Sequence, residues 1–192
     1  MLKKITLPFI IIFFPFILFS FADNNDDDNT ISFESEPVLL AQDSVQQTPE
    51  ITECSVIADS IIDFSRKYLG TPYGRGGKGP KRFDCSGFAG FVFKHFGYAL
   101  EASSSMQAAK ADRVPKEELK KGDLIFFKGR NSKAARVGHV GIVISNDEVG
   151  NITFIHSDFQ GGVRIDQLNK SPYYKARYVT GRTIINEQNS SL

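Results

Sequence analysis

The stretch Phe83-Asp84-Cys85-Ser86-Gly87-Phe88 places a cysteine at the junction between a glycine-rich loop and an amphipathic run. The loop covers residues 73–80, and the run over residues 86–96 carries apolar side chains at three- and four-residue spacing, which predicts a helix. The first turn of a helix has backbone N–H groups without intrahelical partners, and it carries the positive end of the helix dipole. Because these groups stabilise a thiolate, we expect the pKa of Cys85 to be lowered and its sulphur to be nucleophilic.

Two histidines further along the chain are candidate partners for this cysteine. Residues 138–144 predict a buried strand that starts at His139, and residues 151–156 predict a second strand that ends at His156, with a turn composition between them. If the strands form a hairpin centred on that turn, the two imidazoles are direct cross-strand neighbours with Cβ atoms roughly 5 Å apart. In that geometry His139 takes the proton of Cys85, and His156 orients His139.

The same residues admit other interpretations. Zinc accepts cysteine and histidine ligands, but the spacing of Cys85, His139 and His156 matches no compact zinc pattern, and we expect no metal. Cys54 and Cys85 are the only cysteines, and they could form a disulfide in a non-catalytic binding module. His95 lies about 15 Å along the predicted helix from Cys85, so we expect it to be a surface or packing residue.

Further motifs surround the cysteine and the histidines in a defined order. Tyr-Leu-Gly-Thr-Pro-Tyr-Gly-Arg-Gly-Gly begins at residue 68, and Lys-Lys-Gly-Asp-Leu-Ile-Phe-Phe begins at residue 120. Gly-His-Val-Gly-Ile-Val-Ile and Phe-Ile-His-Ser follow from residues 138 and 154. Across about residues 54–184 this series closely resembles the NlpC family of bacterial cell-wall cysteine peptidases.

The resemblance implies a papain-like enzyme with a Cys-His-His triad formed by Cys85, His139 and His156. It implies hydrolysis of amide bonds in the peptide stems of peptidoglycan, at the bond after γ-linked D-glutamate. Backbone N–H groups of Cys85 or Ser86 are the general donors to the oxyanion, and the mechanism needs no cofactor. A papain-like amidase, acyltransferase or lipid hydrolase would use the same triad on another acyl substrate, so this alternative stays open.

The resemblance also implies substrate contacts near the cysteine. Tyr73 is expected to reach the substrate or the oxyanion, although a core aromatic residue would also fit its position. Asp84 and Ser86 are expected to contact the peptide stem, Asp84 through a substrate amine, while Asp84 is also suited to cap the helix. Ser104 matches a serine that lines the cleft in the family. Ala102 departs from the family, which usually has an arginine there, so a substrate carboxylate held by that arginine would lack its partner.

The N-terminal region predicts export. Residues 1–22 combine two lysines, an apolar run of 17 residues and small residues before a cleavage point, as a secretory signal peptide does. An uncleaved membrane anchor is the alternative, although about 20 apolar residues are usual for a span. Residues 23–50 carry eight acidic residues and no basic one, which predicts a disordered linker. We therefore expect the protein in the periplasm, the cell envelope or the extracellular space.

Charge is unevenly distributed along the chain. The formal net charge is +1, but residues 51–192 contain 21 Lys and Arg against 14 Asp and Glu, a net of +7. A basic domain attracts anionic polymers. The signal peptide argues against nucleic acid as a partner, whereas the carboxylates of cell-wall peptides fit the charge. We expect contact with the membrane only through the signal peptide, and we assume a monomer.

The order of the predicted elements defines the fold class. Helices over residues 52–69, 86–96 and 106–111 come first, and an antiparallel sheet follows, so we expect an α+β, papain-like fold with helices packed on a central sheet. The domain is predicted over residues 51–185, and residues 186–192 are predicted to be a flexible tail. Residues 128–136 are predicted to form an exposed basic loop. The predicted strands cover residues 123–127, 138–144, 151–156, 162–165 and 176–185.

Overall fold

A computed structural model describes residues 49–110, 113–130, 133 and 135–186 of the chain. The predicted signal peptide, nearly all of the predicted linker and all but the first residue of the predicted tail lie outside the described residues. Within the described part of the chain, no helix combines the length and apolar character that a membrane span requires.

The described residues form four helices and a six-stranded sheet in which every neighbouring pair of strands is antiparallel. The strand order is β1-β6-β2-β3-β4-β5. The α+β class predicted from the sequence is confirmed. The helices are α1 (Pro49–Arg66), α2 (Cys85–His95), α3 (Ser104–Gln107) and α4 (Pro172–Lys175). The strands are β1 (Arg113–Val114), β2 (Leu124–Lys128), β3 (Val137–Asn146), β4 (Ile152–Asp158), β5 (Gly162–Gln167) and β6 (Tyr178–Arg182).

Both faces of the sheet are buried. On one face α1 and α2 pack over side chains that include Phe126 and Val140. On the other face Phe127 and Phe154 pack with Tyr174 from α4. Side chains alternate between the two faces along a strand, so an uninterrupted apolar strand such as β2 supplies both clusters. The central strands are therefore rigid supports for residues at their ends.

Some predicted elements differ from the observed ones at their ends. Helix α1 begins three residues before the start of the predicted helix and ends three residues before its end. The short helix predicted at 106–111 is Ser104–Gln107 instead, because Ser103 caps it by accepting a hydrogen bond from the backbone N–H of Met106. Strand β1 and helix α4 have no counterpart among the predicted elements, and both are too short to show a hydrophobic period.

Candidate active site

Cys85 is the first residue of α2, and Asp84 is its N-cap. The Asp84 backbone is extended, and its Oδ1 accepts a hydrogen bond of 2.6 Å from the backbone N–H of Gly87. The predicted capping role of Asp84 is therefore confirmed. The cap leaves the N–H groups at the very start of the helix near the sulphur of Cys85.

The loop before Cys85 is tied to the sheet. The carbonyl oxygen of Phe83 accepts a hydrogen bond of 2.9 Å from the hydroxyl of Ser157, a fully buried residue of β4. The backbone N–H of Asp84 donates to the carbonyl oxygen of Gly77 at 2.9 Å. A Cβ atom at Gly87 would overlap that same carbonyl, so the glycine lets the loop pass directly over the first turn of α2. These contacts fix the position of Cys85 relative to β4.

The two histidines meet across β3 and β4, but their register differs from the predicted one. Ile142 pairs with Ile155, so His156 lies opposite Gly141, and His139 is two residues further along β3. The prediction that the histidines are directly opposite is therefore wrong: they are diagonal neighbours on one face. Their rings are still in contact, with His139 Nε2 at 2.9 Å from His156 Nδ1 and the ring planes nearly perpendicular.

The diagonal contact depends on Gly141 and on a bulge. A Cβ atom at Gly141 would lie 2.7 Å from the ring of Phe154 and 3.3 Å from the Cβ of His156, so a larger residue would collide with the Phe154 ring that packs beside His156. The register of the hairpin shifts between Val143 and Ser145, where β3 holds an extra residue. The hairpin is centred near residue 149, beyond the middle of the predicted turn, and the bulge shifts the register by one residue so that the two histidines share a face.

A carboxylate lies behind the histidine pair. Asp166 in β5 places its Oδ2 at 2.9 Å from His156 Nε2, and its Oδ1 accepts a hydrogen bond of 2.6 Å from Arg164. His156 is fully buried between its two partners. The structure thus brings His139, His156, Asp166 and Arg164 into one hydrogen-bonded row. Asp166 was not among the residues predicted from the sequence.

The sulphur of Cys85 lies beside the backbone on either side of His139. It is 4.0 Å from the carbonyl oxygen of Gly138. Burial, followed by the charge of Asp84, raises the pKa of the Cys85 thiol, and the backbone N–H groups of Val140, Ser86 and Cys85 itself only partly offset this increase. The predicted lowering of this pKa is therefore wrong. The expected helix-start donors are present, but desolvation outweighs them.

His139 has the opposite shift. Burial, then repulsion by the charged form of His156, lowers the pKa of His139 far below 6.5, although the charge of Asp166 acts the other way. A raised thiol pKa and a lowered imidazole pKa together favour a neutral pair at neutral pH. His139 is therefore in the free-base form that a general base requires.

These shifts predict how the thiol reacts with pH. With Cys54 replaced by alanine to leave one thiol, the rate of alkylation of Cys85 by iodoacetamide should rise continuously from about pH 6 to pH 9, since only the thiolate reacts. Mass spectrometry of the modified peptide measures this rate. A rate that is high and constant from about pH 5 to pH 8 would show a stable thiolate–imidazolium pair and contradict the neutral pair.

Cys85 and His139 open onto a cleft of about 400 Å³. Tyr73 lines this cleft as predicted, and its ring packs edge-on against Phe159 at 5.6 Å. Burial raises the pKa of Tyr73, and the charges of Cys85 and Asp84 add to the increase, so its hydroxyl stays protonated at neutral pH. The remaining lining residues are Arg75, Lys128, Gly129, Arg130, Gly138, Asp158, Phe159, Tyr173 and Tyr174.

Three residues predicted to contact the substrate do not line this cleft, namely Asp84, Ser86 and Ser104. The hydroxyl of Ser86 is buried, at 3.0 Å from Asp84 Oδ1 and 3.2 Å from the carbonyl oxygen of Ala102. Ser86 faces a neighbouring groove, where the ammonium of Lys78 lies 2.9 Å from the same carbonyl oxygen and 3.6 Å from Asp84. Ser104 is buried at the start of α3 and lines neither the cleft nor this groove.

The geometry also bears on the other interpretations of these residues. Cys54 and Cys85 are both free thiols, so the disulfide alternative is wrong. His139 Nε2 and His156 Nδ1 are joined by a hydrogen bond and do not converge on a common point, and no group of three metal-ligating side chains occurs within the described part of the chain. His95 is exposed and stacks on Phe64 at 3.9 Å, which confirms its predicted packing role.

Comparison with known proteins places the chain in a family. The model of the NlpC/P60 family matches residues 70–183, which is more than half of the chain. The chain therefore belongs to the NlpC/P60 family, and its α+β fold is the papain-like fold of that family.

Individual relatives agree with this assignment. The murein DD-endopeptidase MepS/murein LD-carboxypeptidase of Escherichia coli (strain K12) is 29% identical over 174 residues, which cover 88% of this chain and 87% of that protein. The probable endopeptidase p60 of Listeria monocytogenes serovar 1/2a is 35% identical over 121 residues, which cover 63% of this chain and 22% of that protein. The chain thus spans about a fifth of the length of the p60 relatives.

A solved structure shows the same fold. The crystal structure of an NlpC/P60 family protein from Bacillus cereus ATCC 10987 superposes with a TM-score of 0.60 at 34% sequence identity. The superposition covers 67% of this chain and 40% of that one.

Proposed function

We propose that the protein is an exported cysteine endopeptidase that hydrolyses amide bonds in the peptide stems of peptidoglycan. The observation that carries this proposal is the placement of the Cys85 sulphur and the His139 ring in one cleft, with His156 bonded to His139 behind it. A thiol at a helix start, a neutral imidazole beside it and an orienting group are the parts that a thiol hydrolase needs. Family membership and the names of the relatives supply the substrate class.

In the proposed reaction, His139 removes the proton from Cys85 as the sulphur attacks the amide carbonyl carbon. The negative charge that develops on the carbonyl oxygen is held by backbone N–H groups at the start of α2 and by the hydroxyl of Tyr73. His139 then gives its proton to the leaving nitrogen, and the C–N bond breaks to leave a thioester on Cys85. Water attacks the thioester while His139 takes a proton from it, and the acid product and the free thiol are released.

Burial acts in opposite directions on the two proton transfers: it opposes transfer from Cys85 to His139 in the free enzyme and favours transfer from His139 to the leaving nitrogen. Because the pKa of Cys85 is raised, the thiol keeps its proton until the carbonyl carbon is within reach. Because the pKa of His139 is lowered, the protonated imidazole is a strong acid and gives its proton readily to the leaving nitrogen. The protonated His139 and the negative charge on the substrate oxygen therefore form together, only when the sulphur attacks the carbonyl carbon.

The proposed bond is the one that follows γ-linked D-glutamate. A second candidate is the bond between stems in a cross-link, because the Escherichia coli relative named as a murein DD-endopeptidase aligns with nearly the whole of both chains. Ala102 stands where the family usually has an arginine, so the contact to a substrate carboxylate differs from the family pattern. Other cations of the cleft are available for that contact.

The wall of the cleft is positively charged. Arg75, Lys128 and Arg130 line it, and the guanidinium of Arg130 lies 4.3 Å above the ring of Phe159. The carboxylate of Asp158 in the same cleft offsets one of these three charges, so the lining keeps a formal net charge of +2. A peptide stem with free carboxylates fits this wall.

Replacement of Arg130 tests the charged wall. Arg130→Gln should raise KM for a stem peptide with free carboxylates by roughly 1.4- to 5-fold and leave kcat nearly unchanged, since an exposed charge contributes about 0.2–1 kcal/mol. Steady-state kinetics at low and high salt measures the effect, which should shrink as salt screens the charge. Arg113→Gln in β1 is the matched control. An equal loss with an amidated, uncharged stem would contradict the assignment.

A panel of soluble stem peptides tests the proposed bond. Purified protein is incubated with an uncross-linked stem and with a cross-linked stem dimer, and product masses are read by mass spectrometry. Fragments that end in γ-D-glutamate support the first candidate, and separation of the dimer into two intact stems supports the second. If neither peptide is cut and only non-peptide amides or esters are hydrolysed, the protein acts on another acyl substrate, and the proposal fails.

A further inference from the structure

The carboxylate of Asp166 determines more than the position of one ring. Asp166 is ionised, because hydrogen bonds from His156 and Arg164 outweigh the burial that would raise its pKa, and the net shift is downward. An ionised carboxylate has no proton to donate, so it can only accept hydrogen bonds. The 2.9 Å contact between Asp166 Oδ2 and His156 Nε2 therefore requires the proton to be on Nε2.

The same reasoning extends to the second histidine. A neutral imidazole with a proton on Nε2 has a lone pair on Nδ1. His156 Nδ1 is 2.9 Å from His139 Nε2, so His139 must carry its own proton on Nε2 to donate to it. The lone pair of His139 is then on Nδ1, which is the nitrogen left to accept the proton of Cys85.

We propose that Asp166 sets the tautomers of both histidines, and that Arg164 fixes the carboxylate that does so. Asp166 is a positioning residue, since it touches neither the thiol nor the cleft and acts through His156 on His139. Arg164 donates to Oδ1 at 2.6 Å and so assigns each carboxylate oxygen to one partner. The effect of Asp166 on activity rests on the proposed function, whereas its effect on the tautomers does not.

Asp166→Asn should exchange the donor and acceptor in each hydrogen bond that links position 166, His156 and His139. Arg164 is only a donor, so the amide oxygen at position 166 turns toward it, and the amide NH₂ turns toward His156. His156 then accepts at Nε2 and carries its proton on Nδ1, which forces His139 to accept at Nε2. The proton of His139 moves to Nδ1, where it blocks proton transfer from Cys85. We expect kcat/KM to fall on the order of 10²-fold or more, the scale of general base catalysis.

A double variant separates this account from simple damage to the site. In Arg164→Met/Asp166→Asn, no guanidinium holds the amide oxygen, so the amide can rotate and accept again from the Nε2–H of His156. We expect the double variant to be at least about tenfold more active than Asp166→Asn alone. If Asp166 acted only as a packing residue, removal of a second partner would lower activity further. A double variant no more active than the single variant overturns the proposal.

The tautomers are measured directly, without substrate. The chain contains three histidines, so long-range ¹H–¹⁵N correlation spectra of the ¹⁵N-labelled protein resolve each ring, with the exposed His95 as internal reference. Spectra are recorded at mildly alkaline pH, where an imidazole with an ordinary pKa of about 6.5 is neutral. The native protein should show His139 and His156 protonated at Nε2, and Asp166→Asn should show both protonated at Nδ1.

Each outcome of the spectra decides the proposal. A proton on Nδ1 of either histidine in the native protein overturns it, even if Asp166→Asn does not fold. Unchanged tautomers in a folded Asp166→Asn variant overturn it as well. Because these spectra need no substrate, they decide the proposal even if the protein proves inactive on peptidoglycan, and that inactivity would count against the proposed function alone.

Discussion

Cys85→Ala is expected to abolish the release of peptides from peptidoglycan. The substitution removes the sulphur that is proposed to form the thioester, and the described residues that line the cleft include no second cysteine and no serine or threonine. Loss of a nucleophile that acts with its base as a unit lowers kcat by at least about 10⁴-fold. Release of soluble stem fragments, measured by chromatography and mass spectrometry, checks the result.

The fold should survive this change. Cys85 is only half-buried, and its sulphur makes one long contact of 4.0 Å to the Gly138 carbonyl, so alanine leaves no large cavity. The melting temperature should stay within about 3 °C of the native value. Cys54→Ala in α1 is the matched control, and it should keep full activity. Activity retained in Cys85→Ala, or lost in Cys54→Ala, would contradict the assignment of the nucleophile.

His139→Gln should cause the second-largest loss. Glutamine can still bond to His156 but cannot take a proton, so kcat/KM should fall by roughly 10²–10⁴-fold, the usual contribution of a general base. The thiol itself stays chemically competent. Alkylation of Cys85 at strongly alkaline pH should therefore proceed at a rate close to the native one, because hydroxide then removes the proton.

His95→Gln is the control for the second prediction. His95 is exposed at the end of α2 and stacks on Phe64, about 15 Å along the helix from Cys85. Its replacement should leave kcat/KM unchanged within a factor of about two. Equal losses in His139→Gln and His95→Gln would show that neither histidine acts as the base.

The sequence predicted the fold class because its periodic signals are strong. The helical spacing of apolar residues in α2 and the uninterrupted apolar runs of β2 and β3 arise from burial against one or both faces of the sheet. The capping role of Asp84 was also predictable, since the side chain acts on its own helix. Interactions between residues close in sequence were therefore enough to predict these elements.

The histidine contact was predicted in outline but not in register. The prediction centred the hairpin on residues 147–148, whereas Asn146 pairs with Ile152, so the turn is centred near residue 149. The bulge between Val143 and Ser145 then shifts the register back by one residue. A bulge leaves little trace in the pattern of apolar residues when both faces are buried. Contact between the rings survived because diagonal neighbours on one face are still within reach.

Long-range contacts explain what the sequence did not predict. The predicted strand stopped at Ile165, the last apolar residue of its pattern and one residue before Asp166. Arg130 belongs to a stretch predicted to be an exposed loop, and its contribution to the cleft depends on its contact with Phe159. The raised pKa of Cys85 results from burial, which the sequence around a cysteine does not report.

Digestion of purified peptidoglycan by the native protein and by Cys85→Ala, side by side, tests the central claim most directly. The account predicts new soluble peptide fragments from the native protein alone, with one new carboxyl and one new amino terminus for each bond cut. Fragments from both proteins would show that Cys85 is not the nucleophile. If a folded native protein with a free Cys85 thiol released no fragments from peptidoglycan or from soluble stems, the claim of a stem peptidase would be contradicted.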